Sequence, residues 1–184
     1  MPEPKEPKPG MPPTPDDANR DVIDFEKLDL NSFIFLRRRE KEFEQESRRI
    51  SIGKEQFDFR VRHHVERHAD GIEFIIRSSG SDLSLILKFH NWGDGNGDCR
   101  SEINRDGKQD PIPEGIGMKL YRKGLLYIQQ RAQELSLKIK HKIIRGGRMD
   151  ANKWHKYFDP IIEEYAYKKV EGFEQWEKTY EPQK

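Results

Sequence analysis

Residues Pro111–Gly147, PIPEGIGMKLYRKGLLYIQQRAQELSLKIKHKIIRGG, place a Gly-x-Gly turn, a helical pattern and an alternating segment in series. Ile116, Leu120, Gly124, Ile128, Ala132 and Leu135 fall on one stripe at i, i+4 spacing, with Lys119, Arg122, Lys123 and Arg131 mostly outside it. Beyond them Leu135, Leu137, Ile139, His141 and Ile143 point one way and Ser136, Lys138, Lys140 and Lys142 the other, which is the period of a strand. The stretch therefore predicts turn, helix, strand. Bare backbone N–H groups at a helix N-terminus favour negative charge, through unpaired amides and helix dipole together, so the turn is a candidate site for a phosphate-bearing cofactor.

Composition narrows what surrounds this stretch. The 184 residues fit one domain at 21–184 behind a tail at 1–20. Charged residues make up 36% and apolar ones 33%, so the core must be compact and the surface heavily solvated. A net charge of +1 removes any general electrostatic case for nucleic acid or membrane as partner. The single Cys99 excludes an internal disulfide and fits a reducing compartment. Without an apolar run of spanning length or a signal-like N-terminus, the expectation is a soluble, cytoplasmic protein. The tail MPEPKEPKPGMPPTPDDA is proline, charge and glycine, and predicts a disordered or extended segment.

Between Asp21 and Ser51 a docked segment (Val22, Phe25, Leu28, Leu30) precedes an expected short strand at Ser32–Leu36, and the charged run Arg37–Arg49 reads as an exposed helix. Three alternating segments follow. Phe57, Phe59, Val61 and Val65 share one face, then Ile72, Phe74 and Ile76, then Leu83, Leu85, Leu87 and Phe89. Ala69-Asp70-Gly71 and Ser79-Gly80-Ser81-Asp82 are the turns of this antiparallel meander. Cys99–Arg105 predicts a fourth strand. After Gly146-Gly147, Trp154, Phe158, Ile161 and Tyr165 recur at helical spacing, with Asp159-Pro160 placed as N-cap and first helical residue, and Lys168–Tyr180 supplies one or two closing strands.

The order of meander, fourth strand, Gly-x-Gly turn, helix, strand, aromatic helix and final strand resembles the GNAT superfamily of acyl-CoA-dependent N-acyltransferases. Glu114-Gly115-Ile116-Gly117-Met118-Lys119-Leu120 carries the likeness, matching the family's pyrophosphate turn at Gly115 and Gly117, with Ile112 where the pattern has Arg or Gln. Ile161–Tyr167, IIEEYAY, is similar to its aromatic-rich helix, with Ile162 where many members carry a tyrosine that protonates the leaving thiolate. The resemblance implies an α+β fold, with a mixed, mostly antiparallel sheet flanked by a few helices. It implies acetyl-CoA or another acyl-CoA as cofactor, and a small amine or peptide as acceptor. Glu114, Gly115, Ile116, Gly117, Met118 and Lys119 would cradle the pyrophosphate, with Ile103, Asn104 and Arg105 lining the pantetheine arm.

Glu102 on the fourth strand stands where related enzymes place a general base, a role that needs hydrogen-bond reach to the amine and a pKa raised by burial. Its alternative is a surface glutamate paired with Arg100 or Lys88. Asp94, Asn96 and Asp98 alternate like the start of a calcium loop, but lack its sixth-position glycine and closing glutamate, so a hairpin loop is expected. His63, His64 and His68 leave a strand without cysteine or carboxylate partners in register, and no metal site is assigned. The rival to an enzyme is a catalytically inactive GNAT-like binding or scaffold module. A small-ligand β-meander outside this family is the third reading.

Overall fold

The computed structural model describes residues 22–35, 43–90, 93–107, 112–145 and 150–182; the proline-rich tail and the first part of the charged run lie outside them. Nine strands among these residues form one sheet: β1 Ile23–Asp24, β2 Phe43–Ile52, β3 Glu55–Glu66, β4 Ala69–Arg77, β5 Ser81–His90, β6 Asn96–Gly107, β7 Lys138–Ile144, β8 Lys168–Lys169 and β9 Gln175–Tyr180. Their order is β1-β2-β3-β4-β5-β6-β7-β9-β8. Pairing is antiparallel except for β1 with β2 and β6 with β7. The fold is mixed α+β with a large, mostly antiparallel sheet and two α-helices, α1 Ile116–Glu134 and α2 Ala151–Glu164.

Alternation in the sequence decides which face is dry. Phe59, Val61, Ile72, Phe74, Ile76, Leu85 and Leu87 bury almost completely on one side. Each such side chain contributes about 1.5–3 kcal/mol through apolar surface removed from water. Over that face lie residues 22–35, α1 and α2. The three meander strands, the helix stripe and the 138–144 strand form where the periodicity predicts them. The first turn, however, falls at Arg67-His68 with Ala69–Gly71 already in β4, Val65 and Leu135 are exposed at the ends of their stripes, and the fourth strand runs longer at both ends, from Asn96 to Gly107.

Three local expectations give way. Of the strand expected at Ser32–Leu36, Ser32 closes a 3-10 turn from Leu30 and residues 33–35 belong to no strand. Phe25–Lys27 form a second such turn, with Asp24 and Asp29 accepting hydrogen bonds from the Glu26 and Asn31 amides at 3.0 and 2.9 Å. The charged run is not helical in its described part: β2 pairs with β3 along its length, with a bulge between Glu44 and Glu46, and Ile50 and Ile52 bury at its end. Tertiary pairing there outweighs a helix-like charge pattern. The second helix starts at Asp150, whose side chain accepts from the Lys153 amide at 3.0 Å, so Pro160 lies inside α2 rather than opening it.

The opposite face of the sheet is polar and laced with ion pairs, such as Arg77 with Asp82 at 3.1 Å and Lys88 with Glu66 at 3.0 Å. No helix among the described residues is long and apolar enough to cross a membrane.

Candidate functional site

The parallel pair β6 and β7 separates along its length. Their pairing runs from Asn96 with Lys138 to Arg100 with Lys142 and stops. Among the described residues, β6 continues to Gly107 held only by β5, while β7 continues to Ile144 held by β9. From Ser101 onward the β7-facing edge of β6 therefore borders a notch at the C-terminal ends of two parallel strands. Open α/β sheets place ligands at such ends.

The N-terminus of α1 stands over this notch. Gly115 is its N-cap in the left-handed region, φ 86°, which glycine adopts without steric cost, and the cap receives no side-chain hydrogen bond. The Ile116 amide donates to the Pro113 carbonyl at 3.4 Å, and the Met118 and Lys119 amides to the Gly115 carbonyl at 3.1 Å. The Gly115 and Gly117 amides have no acceptor among the described residues. They are the orphan donors of the helix end, which an anion would satisfy.

Charges crowd the same end. The Arg105 guanidinium donates to the Ile112 carbonyl at 3.2 Å, and Lys119 pairs with Glu26 at 2.5 Å. Glu114 accepts from Lys156 Nζ at 2.8 Å and from the Tyr157 hydroxyl at 3.1 Å, tying α1 to α2. The Lys156 hydrogen bond holds the Glu114 carboxyl below its usual range, so an acidic group at the mouth is neutralised by its own partner.

The strand residues divide between the two faces. Ile103 lies under α1, where a Cβ on Gly117 would meet its Cδ1 at 3.4 Å. Arg105 follows it toward the cradle, whereas Glu102 and Asn104 alternate onto the polar face. Glu102 is half exposed there, 3.5 Å from Lys88 Nζ. That geometry fits the surface-pair reading and takes it away from a base role beside the notch. Ile112, at 2% exposure, and Ile162 both join the apolar core. Asp94 and Gly95 form a left-handed turn, and His64 pairs with Glu73 at 2.9 Å on the polar face. No cluster of three metal-ligating side chains occurs among the described residues.

Sequence reading missed the polar chain beneath the notch. Ser101 Oγ lies 2.6 Å from the Tyr121 hydroxyl and 2.8 Å from His141 Nε2. His141 Nδ1 lies 2.5 Å from the Tyr167 hydroxyl, which is 3.2 Å from that of Tyr180. β6, α1, β7 and β9 contribute Ser101, Tyr121, His141 and Tyr180, and Tyr167 immediately precedes β8. His141 is fully buried, which pushes its pKa from 6.5 down to about 3, and burial pushes all three phenols up. Its only signal in the sequence was a histidine within the apolar alternation of 137–143.

A surface depression of about 680 Å³ lined by Arg49, Asp58 and Arg77 opens on the polar side, away from α1. No family model, curated protein or solved structure matches the chain. The geometry of the notch carries the functional reading.

Proposed function

We propose that the chain is a GNAT-like N-acyltransferase that moves an acyl group, acetyl by preference, from coenzyme A to an amine by direct attack. The observation that carries this reading is the pair of orphan glycine amides, Gly115 and Gly117, at an uncapped helix N-terminus over the notch between parallel β6 and β7. The element order supports it, since strand, Gly-x-Gly turn, helix and parallel strand follow one another as the resemblance implies. In this reading the two amides and the helix dipole hold the pyrophosphate with Arg105 nearby, Lys119 and Lys156 being balanced by Glu26 and Glu114, and the thioester runs along the open edge of β6. A backbone amide on the notch edge of β6 polarises the thioester carbonyl, and the acceptor nitrogen attacks within the notch.

Ile112, Ile162 and the Lys88-paired Glu102 favour a second reading, a catalytically inactive module that keeps the fold and binds coenzyme A or a protein partner. Calorimetry with acetyl-CoA on the wild type, Gly115→Asn and Gly115→Asp addresses the first step. A Cβ at Gly115 meets nothing within 4 Å, and asparagine and aspartate tolerate the left-handed region better than other side chains, so both variants keep the fold. The acyltransferase reading expects micromolar binding by the wild type and Gly115→Asn and its loss in Gly115→Asp, where a carboxylate meets the pyrophosphate. Absence of binding by the folded wild type overturns it. Binding without acetyl transfer to spermidine, a lysine peptide or a free peptide N-terminus favours the inactive module.

A further inference from the structure

From Ser101 a hydrogen-bonded line runs through His141 and Tyr167 to Tyr180 in the core, with the Tyr121 hydroxyl on the other side of Ser101. Tyr121, His141, Tyr167 and Tyr180 are buried, whereas Ser101 is only partly so. Ser101 is also the first β6 residue past the last β7 pair, Arg100 with Lys142, which makes it the member of the chain at the notch. Around it the core is apolar, with Ile139, Ile143 and Phe158 adjoining the polar line.

A neutral imidazole between two hydroxyls has two arrangements. In one, Nε2–H donates to Ser101 Oγ while Nδ1 accepts from Tyr167. In the other, Ser101 donates to Nε2 while Nδ1–H donates to Tyr167. The two differ by moving each proton one bond along the line, so a proton removed at Ser101 is replaced from Tyr167 with no net charge left on the ring. Burial favours this neutral exchange and disfavours a stored imidazolium.

Resting on the acyltransferase reading, we infer that Ser101, resupplied through His141 and Tyr167, protonates the thiolate that leaves when the acyl group is transferred. The acceptor nitrogen bonds to the carbonyl carbon, the C–S bond breaks, and sulfur keeps the bonding pair and takes the Ser101 hydroxyl proton. Ser101 Oγ takes the proton from His141 Nε2, Nδ1 takes that of the Tyr167 hydroxyl, and Tyr167 takes that of Tyr180. The proton shed by the amine returns to Ser101 through solvent in the notch, and the same shifts in reverse restore the Tyr180 hydroxyl. Ser101 is the catalytic residue; His141 and Tyr167 act through it. The line supplies the acid that Ile162 does not.

The test uses the full chain with Ser101→Ala, Tyr167→Phe and His141→Gln, the last retaining a donor and an acceptor but no tautomer exchange. Ring ¹⁵N shifts of His141 in the wild type should show a neutral ring with its proton on Nε2 and Nδ1 displaced from its free value by the Tyr167 hydrogen bond, a displacement lost in Tyr167→Phe. Acetyl-CoA affinity should be unchanged in all three variants. With spermidine and a lysine peptide as acceptors, Ser101→Ala and His141→Gln should lose about 10²-fold in kcat with acetyl-CoA. Phenyl thioacetate, whose thiolate departs without protonation, should show at most a small loss. A resting His141 that carries its proton on Nδ1, or equal losses with both thioesters, overturns the relay. Wild-type turnover unaffected by Ser101→Ala overturns the relay alone, whereas a wild type that neither binds nor transfers overturns the acyltransferase reading and the relay with it.

Discussion

Gly117 presents its Cα to the sheet and not to the notch: a Cβ placed on it would meet Ile103 Cδ1 at 3.4 Å and Leu83 Cδ1 at 3.5 Å. The two glycines of the turn therefore serve different needs. Gly115 supplies a left-handed backbone in open space, whereas Gly117 faces β5 and β6, where a Cβ would make ordinary van der Waals contact and a longer side chain would have to turn away. A glutamate at 117 would drive a carboxylate into an apolar contact, costing about 2 kcal/mol or more, or a fall of about 4–8 °C in Tm. Thermal melts without ligand should show that loss in Gly117→Glu and a much smaller one in Gly115→Asp. Equal losses would mean that Gly117 is not pressed against the sheet.

Gly124 repeats the close approach one level deeper. A Cβ there would overlap Leu85 Cδ2, the end of a fully buried side chain in β5. Alanine is worth about 1 kcal/mol in helix propensity, but overpacking costs about 1–3 kcal/mol, so Gly124→Ala should destabilise by up to about 2 kcal/mol. Leu85→Ala alone should cost about 2–5 kcal/mol through the cavity it leaves. In urea unfolding the double variant should lose less than the two singles added, because the new methyl enters the room vacated by leucine. Additive losses would refute the contact.

Periodic segments were legible because a single face decides them: 57–61, 72–76, 83–89, 116–132 and 139–143 each bury the side that their spacing announces. Where pairing partners decide, spacing misled. The run from Phe43 looks like a solvated helix until β3 lies beside it. Asp159-Pro160 carries every local mark of a helix start, yet Trp154 stacks on Phe158 at 4.4 Å and on Trp176 at 5.5 Å, and the helix begins a turn and more earlier to allow this. Of the candidate site, the Gly-x-Gly turn was visible locally. Ser101, Tyr121, His141 and Tyr167 come together only through the β6–β7 register, which no spacing in the chain encodes.

His141 makes stability depend on pH. Its pKa is about 3 folded against 6.5 as its ordinary value, so below 6.5 the unfolded chain binds a proton that the native chain does not. The contribution is complete above pH 6.5 and declines as pH falls toward the folded value, by about 1.4 kcal/mol per pH unit. Urea titrations between pH 7.5 and 5 should give about 2 kcal/mol more loss in the wild type than in His141→Gln. Parallel slopes for the two proteins would show that His141 is charged or hydrated in the native state.

Glu114 is the one cradle position where removing a group should strengthen binding. Its carboxylate is fully exposed and ionised at neutral pH, because Lys156 hydrogen-bonds it from α2. With both present, the pair adds little net potential to the helix end. Glu114→Gln leaves the Lys156 ammonium facing the orphan amides, and Lys156→Gln leaves the carboxylate. Acetyl-CoA affinity should rise about two- to fivefold in the first and fall by a similar factor in the second, the range expected for one charge near a helix terminus. Both changes should shrink as salt is raised, since the groups sit in solvent and a Debye length contracts to about 3 Å at 1 M. Calorimetry at low and high salt reads this directly. Affinity that falls in both variants would assign the Lys156–Glu114 pair a structural part in joining α2 to α1, and would move the pyrophosphate away from this end of the helix.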